Sequence, residues 1–431
     1  MDPPTMKLSW ADIESNNNHC LMLDRLDPHH NNNNNGKFGI ESRCVAWAPD
    51  QSYIAWSSGN CTVQLIPWCR QTQRWLVTKK TFSFFMPSFS VITGILLLLS
   101  VRARVEWSNI LRPKRNLDCK ENVWSVAFGC GKSESLGTAR FKFDQNSILA
   151  TGLQSGRIKL WNCKSGSLLM VLFDHKDVIS SLNFAPDFSL FLVSASHDGT
   201  LKLWDLNDDG NMYQTLRPHS KRLHNCRWSP DRKYIACVGD FKCVMLWKTD
   251  EKKIVRKFQG HYNTVMSCEF SPDGALLATA SYDTRVILWD CDTGEVIREL
   301  GHMLPAPRPI YAGGANDHFV RNLSFSCDGR HVASVCDDGF IRVWNLAEEG
   351  DPCRISVSVN SNALCCSFSP DGRALAVGNR EGVVEVLSCP RKIESLQHLC
   401  RLTARRHLPT TKIDHLHLPL RLKEFLKYKH I

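Results

Sequence analysis

Short runs of alternating apolar and polar residues, each ended by a turn, follow one another along most of the chain. In the clearest copy, alternation over 266–270 precedes a Ser-Pro-Asp-Gly turn at 271–274, an apolar run covers 275–281, and a further run ends at Trp289. Pro, Asp and Gly favour tight turns, and the flanking runs have the composition of strands. The pattern therefore predicts a series of short β-strands and an all-β fold.

Tryptophans recur with the period of this pattern. Successive spacings are 43, 43 and 42 residues in the series Trp161, Trp204, Trp247 and Trp289. The same pattern recurs up to Trp344 and up to Leu387, and two degenerate copies cover 45–68 and 123–161. Repeats of this length, with three strands each and room for a fourth, are typical of radially arranged four-stranded blades. Seven copies predict one closed β-propeller, because a ring buries both faces of every sheet.

Dipeptides at fixed places in the repeat provide a family resemblance. Trp-Asp at 204–205 and 289–290, with Gly-His at 260–261 upstream, resembles the signature of the WD-repeat propellers. The resemblance implies hydrogen-bonded tetrads in two repeats, formed by His175, Ser194, Asp198 and Trp204 and by His261, Thr279, Asp283 and Trp289. A buried aspartate needs donors, which imidazole and hydroxyl supply, and the indole N–H completes the set. Because the constellation recurs with the repeat, we expect a structural role and not His/Ser/Asp catalysis. Other repeats depart from it, with Ser155 at the aspartate position of the second and Leu387 in place of tryptophan in the seventh.

The formal charge of +10 is concentrated in two segments. Residues 391–431 carry ten Lys/Arg and three acids, a net of +7, and residues 70–115 carry nine and one, a net of +8. The remainder is 10 − 7 − 8 = −5. A mildly acidic disc argues against a broad nucleic-acid-binding face.

The cysteines and the missing motifs limit the chemistry. The nineteen cysteines are odd in number and spread along the chain, and none shows Cys-x-x-Cys spacing. They are expected to be reduced thiols in a cytoplasmic or nuclear protein. The sequence also lacks metal-spaced His/Cys clusters, a glycine-rich phosphate loop and a nucleophile elbow. We therefore expect a protein that is not an enzyme and needs no metal or cofactor.

Three segments are assigned from these patterns. Residues 1–36 are polar and rich in Asn and His, and are predicted to be disordered. The propeller is assigned to 37–390, with 37–40 expected to supply the outer strand of the seventh blade. A separate C-terminal module is assigned to 391–431.

A basic and apolar insertion is predicted at 70–116, inside the propeller. Its segment 81–101 is uncharged and long enough to be a membrane span. A crossing there would separate the first repeat from the others and prevent ring closure. We therefore expect a poorly ordered loop and no membrane association, with a packed hairpin and a real span as the alternatives.

The C-terminal module has helical periodicity in place of the repeat. Ser395 suits an N-cap, and the next positions form a stripe at helical spacing: Leu396, Leu399, Cys400, Thr403 and Ala404. Arg401, Arg405 and Arg406 lie off that stripe, and a second helix is predicted over 421–428. Short amphipathic helices make a marginal core by themselves. The module is therefore expected to pack on the propeller or to need a partner.

Residues of this module resemble two known protein-binding boxes. The pattern of Leu396, Cys400 and Ala404 is similar to an elongin C-binding box, and 394–431 as a whole is similar to a SOCS box. In that family the leucine fills a pocket of elongin C, so the resemblance implies contacts with elongin C by Leu396, Leu399, Cys400 and Ala404. The tripeptide Leu418, Pro419, Leu420 resembles the start of a cullin-selecting box, Leu-Pro-hydrophobic-Pro. Arg421 stands where its second proline belongs, which weakens the expected match to a cullin-5 type partner.

A seven-bladed WD-repeat propeller followed by an α-helical SOCS box resembles the WD repeat and SOCS box-containing proteins. The resemblance covers 41–70 and 117–431. It implies a substrate receptor of a ubiquitin ligase, whose propeller holds an unknown protein substrate while the box docks elongin B/C and a cullin–RING module. The sequence does not identify the substrate. Loop residues such as Arg285, His318 and Arg342 are available to contact it, but no periodicity selects them. The alternative is a WD-repeat scaffold of signalling or RNA-processing complexes whose C-terminal helices only pack on the disc.

Overall fold

The described strands form seven four-stranded antiparallel sheets, which confirms the predicted seven-bladed propeller. A computed structural model describes residues 22–26, 41–59, 61–68, 114–131, 147–208, 210–302, 318–347, 352–356, 362–389 and 395–429. In blades one to six, each sheet is a simple up-and-down meander of consecutive strands. We number the blades and the strands in chain order, so that in blades one to six the innermost strand comes first.

The strands of the first four blades are each three to eight residues long. Blade one contains β2 (Val45–Trp47), β3 (Tyr53–Ser57), β4 (Thr62–Pro67) and β5 (Arg115–Asp118). Blade two contains β6 (Val123–Gly129), β7 (Ile148–Leu153), β8 (Arg157–Asn162) and β9 (Leu168–Phe173). Blade three contains β10 (Ile179–Phe184), β11 (Phe191–Ser196), β12 (Leu201–Asp205) and β13 (Asn211–Leu216). Blade four contains β14 (Leu223–Trp228), β15 (Tyr234–Gly239), β16 (Phe241–Lys248) and β17 (Lys253–Gln259).

The remaining blades follow the same plan until the ring closes. Blade five contains β18 (Val265–Phe270), β19 (Leu276–Ser281), β20 (Arg285–Asp290) and β21 (Val296–Gly301). Blade six contains β22 (Val320–Phe325), β23 (His331–Cys336), β24 (Phe340–Asn345) and β25 (Cys353–Ser356). Blade seven contains β26 (Ala363–Phe368), β27 (Ala374–Asn379), β28 (Val384–Ser388) and, at its outer edge, β1 (Met22–Leu26).

The strand that closes the ring is not the expected one. The outer position of blade seven is taken by Met22–Leu26, which pairs antiparallel with Val384–Ser388. The prediction that 37–40 forms this strand is therefore wrong, and 37–40 itself lies outside the described residues. The assignment of all of 1–36 to a disordered segment needs the same correction, since a paired strand lies within it.

The core consists of apolar layers between neighbouring blades. Across the closure, Trp56 of β3 and Trp68 pack with Ala376 and Val384 of blade seven. The rings of Trp47 and Trp68 meet edge to face, with centroids 5.0 Å apart. Large aromatic side chains thus join the first and last blades.

The predicted insertion 70–116 ends earlier than expected, because a strand begins within it. Arg115 begins β5, the outer strand of blade one, so the loop does not extend to 116 as predicted. The apolar segment 81–101 lies outside the described residues, and so does the long insertion between blades five and six at 303–317. Among the residues that the structure does describe, no helix is both long and apolar enough to cross a membrane.

Three short helices follow the last blade. They are α1 (Leu396–Arg405), α2 (Thr410–Ile413) and α3 (Leu420–Leu426). Ser395 is the N-cap of α1, as predicted, and its hydroxyl accepts a hydrogen bond from the backbone N–H of His398. Helices α1 and α3 contact each other.

Candidate functional site

The blade-three tetrad is a continuous hydrogen-bonded chain. His175 Nδ1 lies 3.0 Å from the Asp198 carboxylate, and its Nε2 lies 2.7 Å from Ser194 Oγ. Because a carboxylate only accepts, the ring proton lies on Nδ1, and Nε2 accepts from the hydroxyl. Trp204 donates its indole N–H to the same hydroxyl at 2.9 Å. The four side chains join the loop before the blade to its second and third strands.

The blade-five tetrad repeats this arrangement. His261 Nδ1 lies 2.9 Å from Asp283 and its Nε2 lies 2.7 Å from Thr279 Oγ1, while Trp289 donates to that hydroxyl at 2.8 Å. Burial alone would raise the pKa of Asp283, but hydrogen bonds from His261 and the charge of Arg285 outweigh it and lower the pKa. Asp283 is therefore held as a fully bonded carboxylate.

A third constellation of this kind lies in blade six, and sequence analysis missed it. His302 Nε2 lies 2.8 Å from Ser334 Oγ, which also receives the indole N–H of Trp344 at 2.8 Å. Asp338 stands at the aspartate position but pairs with Arg342 at 2.6 Å, and His302 Nδ1 has no hydrogen-bond partner among the described residues. The Gly-His dipeptide at 301–302 could have predicted this constellation. The long insertion that follows it separates the dipeptide from the rest of the repeat.

The same blade-six residues include a cluster that could hold a metal ion. Ligand atoms of His302, Cys336 and Asp338 lie within 4.8 Å of one another. The guanidinium of Arg342 already neutralises Asp338. A cation at this point would meet a fixed positive charge, so the cluster is best explained as an incomplete tetrad.

Two arginines that the sequence places in exposed loops are instead parts of these networks. Arg285 is 5% exposed and pairs with Asp283 and Glu299. Arg342 is 4% exposed. The expectation that they form part of a loop surface is therefore wrong, while His318 remains partly exposed.

One end of the central channel is an open cavity lined by residues of all seven blades, with a volume of about 370 Å³. Trp124 lies at its wall, with the Arg43 guanidinium 4.0 Å from the ring centroid and the His197 ring edge-on at 5.6 Å. Arg321 is held there by Asp337 through two hydrogen bonds of 2.6 Å. Aromatic and charged groups thus line this end of the channel.

The outer face of α1 carries the residues that sequence analysis assigned to elongin C. Leu396 is 76% exposed and Leu399 is 41% exposed, and Cys400 is exposed beside them. Ala404 is half-buried one turn further on. These side chains share one face of the helix and present apolar surface to solvent. The opposite face, with His398, Arg401, Leu402 and Arg405, is buried against the propeller and α3.

The residues that resemble a cullin-selecting box lie at the start of α3. Leu418 is half-buried, Pro419 is the N-cap residue, and Leu420 is 70% exposed. Arg421, in the place of the second proline, is exposed. The geometry brings the two boxes into one helical module and leaves apolar side chains of both in contact with solvent.

The helices and the cavity lie on opposite faces of the disc. In blade five, the turn before β19 contains Asp273, which contacts the tail, and the turn after β19 contains Tyr282, which lines the cavity. A strand reaches from one face of the ring to the other, so its two ends mark opposite faces.

Fold and site together define a WD-repeat propeller with a C-terminal SOCS box. The family model of the WD domain, G-beta repeat matches 166–205, 210–248, 252–290 and 309–345, and that of the SOCS box matches 393–427. WD repeat and SOCS box-containing protein 1 of Homo sapiens is 46% identical over 401 residues, covering 91% of this chain and 92% of that protein. The protein of the same name from Xenopus tropicalis is 45% identical over 406 residues, with the same coverage of 91% and 92%. The chain belongs to the WD repeat and SOCS box-containing protein family.

A comparison of folds gives a consistent result. A chain in the crystal structure of the mitotic checkpoint complex superposes with a TM-score of 0.62, covering 91% of this chain and 97% of that one, at 16% identity. At that identity the likeness concerns the propeller fold alone.

Proposed function

We propose that this protein is the substrate receptor of an elongin B/C–cullin–RING ubiquitin ligase. The SOCS box would dock elongin C, elongin B and the cullin–RING module, and the propeller would hold a protein substrate. The observation that carries the proposal is the outer face of α1, where Leu396 remains 76% exposed although the opposite face of the helix is buried. Exposed leucines on an otherwise docked helix are typical of a surface that a partner covers.

The chain would promote ubiquitination without chemistry of its own. A bound substrate gains a high effective concentration near a charged conjugating enzyme, which is sufficient for lysine modification. The cavity lined by Trp124 and Arg321 is the proposed substrate site, since it is open and lies on the face away from the SOCS box. The activity is proposed for the cytoplasm or nucleus, where thiols such as the free cysteines of the described residues stay reduced.

A WD-repeat scaffold remains the alternative function. Its main feature, helices packed on the disc, is present here. The two functions differ at the outer face of α1, which a scaffold with no partner there would not need. Capture of elongin C therefore separates them.

The experiment compares the wild type with Leu396→Asp in capture of purified elongin B/C. Burial of one leucine contributes about 1.5–3 kcal/mol, so the substitution should weaken binding about 10-fold or more. The matched control is Leu168→Asp, which places the same charge at a leucine 46% exposed on β9 of blade two. Equal recovery of elongin by the wild type and both variants would contradict the proposal.

A further inference from the structure

Helix α1 has its polar and apolar faces reversed relative to an ordinary surface helix. Arg401 and Arg405 are 4% exposed, whereas Leu396 is 76% exposed. Surface helices of globular proteins normally turn their apolar stripe to the core. The propeller therefore does not hold this helix by a hydrophobic stripe, and polar contacts have to fix it in place.

The first set of polar contacts joins α1 and α2 to the outer turn of blade five. Thr410 donates its hydroxyl to Asp290 at 2.6 Å and its backbone N–H to Asp292 at 2.7 Å. Arg405 donates to the Thr410 hydroxyl at 2.8 Å and lies 3.5 Å from the Asp292 carboxylate. Asp290 and the Arg405 side chain are both buried, so these contacts are shielded from solvent and salt.

The second set joins the end of the chain to the inner turn of the same blade. The Tyr428 hydroxyl donates to the carboxylate of Asp273, and the ring packs with Leu276 and Ala275. Arg401 lies over the same ring, 4.2 Å from its centroid. The docking surface is thus a row of acidic turns on blade five, matched by cations and hydroxyls of the tail.

Charge complementarity agrees with these contacts. Residues 391–431 carry a net charge of +7, while the sequence outside the two basic segments carries −5. Ile413 of α2 has no exposed surface, so the tail also contributes a buried apolar side chain. The propeller therefore contacts the charged and apolar groups of the tail that do not lie on the elongin-facing side of α1.

We infer that blade five docks the SOCS box in the free chain and holds the elongin-facing side of α1 in its binding conformation before any partner arrives. Binding then costs less conformational entropy, because the helix is ordered when the protein folds. This inference rests on the proposed function for the identity of the partner. The docking itself concerns only the free protein.

The test uses the full-length chain and the double variant Thr410→Val, Tyr428→Phe. These substitutions remove the hydroxyls that reach Asp290 and Asp273 but keep side-chain shape, and neither residue belongs to the outer face of α1. The matched control is Thr411→Val with Tyr213→Phe, at an exposed threonine of the same helix and a tyrosine 45% exposed on blade three. Hydrogen exchange is followed in the free proteins, and the dissociation constant for purified elongin B/C is measured in parallel.

We expect amides of α1 in the free wild type to exchange at least ~100-fold more slowly than an unstructured peptide. The double variant should lose about 10-fold of that protection and bind elongin B/C at least ~5-fold more weakly, with blade-five strands and the control unchanged. Unprotected α1 amides in the free wild type would overturn the inference, and so would deprotection that leaves the dissociation constant unchanged. If α1 is protected but no version binds elongin, the proposed function fails while the docking of the tail stands.

Discussion

Thr410 donates a 2.6 Å hydrogen bond to Asp290, the aspartate of a Trp-Asp dipeptide. In blade three the equivalent Asp205 accepts from the N–H of Asn207 within its own turn at 2.9 Å. Asp290 makes the same kind of turn contact with the other carboxylate oxygen, through the N–H of Asp292 at 2.8 Å. Asp290 therefore stabilises the turn of blade five with one carboxylate oxygen and binds the C-terminal module with the other.

Thr279→Val should destabilise the propeller by about 1–3 kcal/mol. The substitution keeps the side-chain shape but removes the hydroxyl that bonds His261 and Trp289, leaving both groups buried without their partner. Urea unfolding followed by tryptophan fluorescence measures the change. Thr411→Val, at an exposed position, serves as the control and should unfold like the wild type. An unchanged midpoint for Thr279→Val would show that the tetrad does not contribute to stability.

Acidification should destabilise blade six through His302. Burial lowers the pKa of this imidazole from 6.5 to about 3, so the unfolded chain binds a proton that the folded chain excludes. The stability is complete above about pH 6.5 and falls as the pH decreases toward 3, by up to about 1.4 kcal/mol per pH unit. His302→Gln should have lower stability but a shallower dependence on pH. Denaturation curves between pH 7.5 and 5 measure the slope, and equal slopes would contradict this assignment.

Glu269 should have the opposite effect. Burial in the central channel raises the pKa of its carboxyl group from 4.5 to about 7, so the folded chain keeps a proton that the unfolded chain releases. Its contribution to stability is greatest below about pH 4.5 and is lost as the pH rises to 7. Glu269→Gln should therefore be more stable than the wild type at pH 8 and similar to it at pH 5. Calorimetric melting at both pH values tests this, and a lower melting temperature at pH 8 would refute it.

Arg421→Pro should increase capture of cullin-5 by the complex with elongin B/C. Arg421 is the second residue of α3, two positions after the N-cap residue Pro419, and the first turn of a helix tolerates proline. The change restores the second proline of the box that Leu418 begins. Arg421→Ala is the control, because it removes the charge without adding the ring. Capture of cullin-5 relative to elongin C is the measurement, and no gain for proline over alanine would argue against a cullin-selecting role.

Deletion of Met22–Leu26 should lower the free energy of unfolding by about 2–4 kcal/mol, because the four residue pairs between β1 and β28 are lost. Deletion of residues 10–14 removes the same length of chain and is the control. Thermal unfolding of both variants measures the difference. Identical melting curves would show that β1 does not close the ring in solution.

The propeller itself could be predicted because its signals are local and repeated. Turn residues and tryptophans such as Trp204 and Trp289 recur at one period, so the clear repeats help to assign the degenerate ones. Met22–Leu26 could not be found in this way, since a short strand with charged residues carries no copy of the repeat and pairs with a strand at the other end of the sequence.

The outer face of the SOCS box could be assigned from one helical stripe, but its inner face could not. Helical periodicity places Arg405 opposite Leu396 without saying what it meets. Its partners Asp290 and Asp292 lie more than a hundred positions earlier, in turns that look solvent-exposed in the sequence. Sequence spacing alone does not predict that such residues come into contact.

The pairing of Leu26 with Val384 has a consequence for biosynthesis. Met22–Leu26 leaves the ribosome before its partner strand in blade seven is made, and waits roughly 20–70 s for it at ordinary translation rates. During that interval the nascent chain is an open arc with unpaired strand edges at both ends, a form that invites chaperone capture or aggregation. A chain damaged in Met22–Leu26 or in blade seven would therefore keep these strand edges exposed after its synthesis.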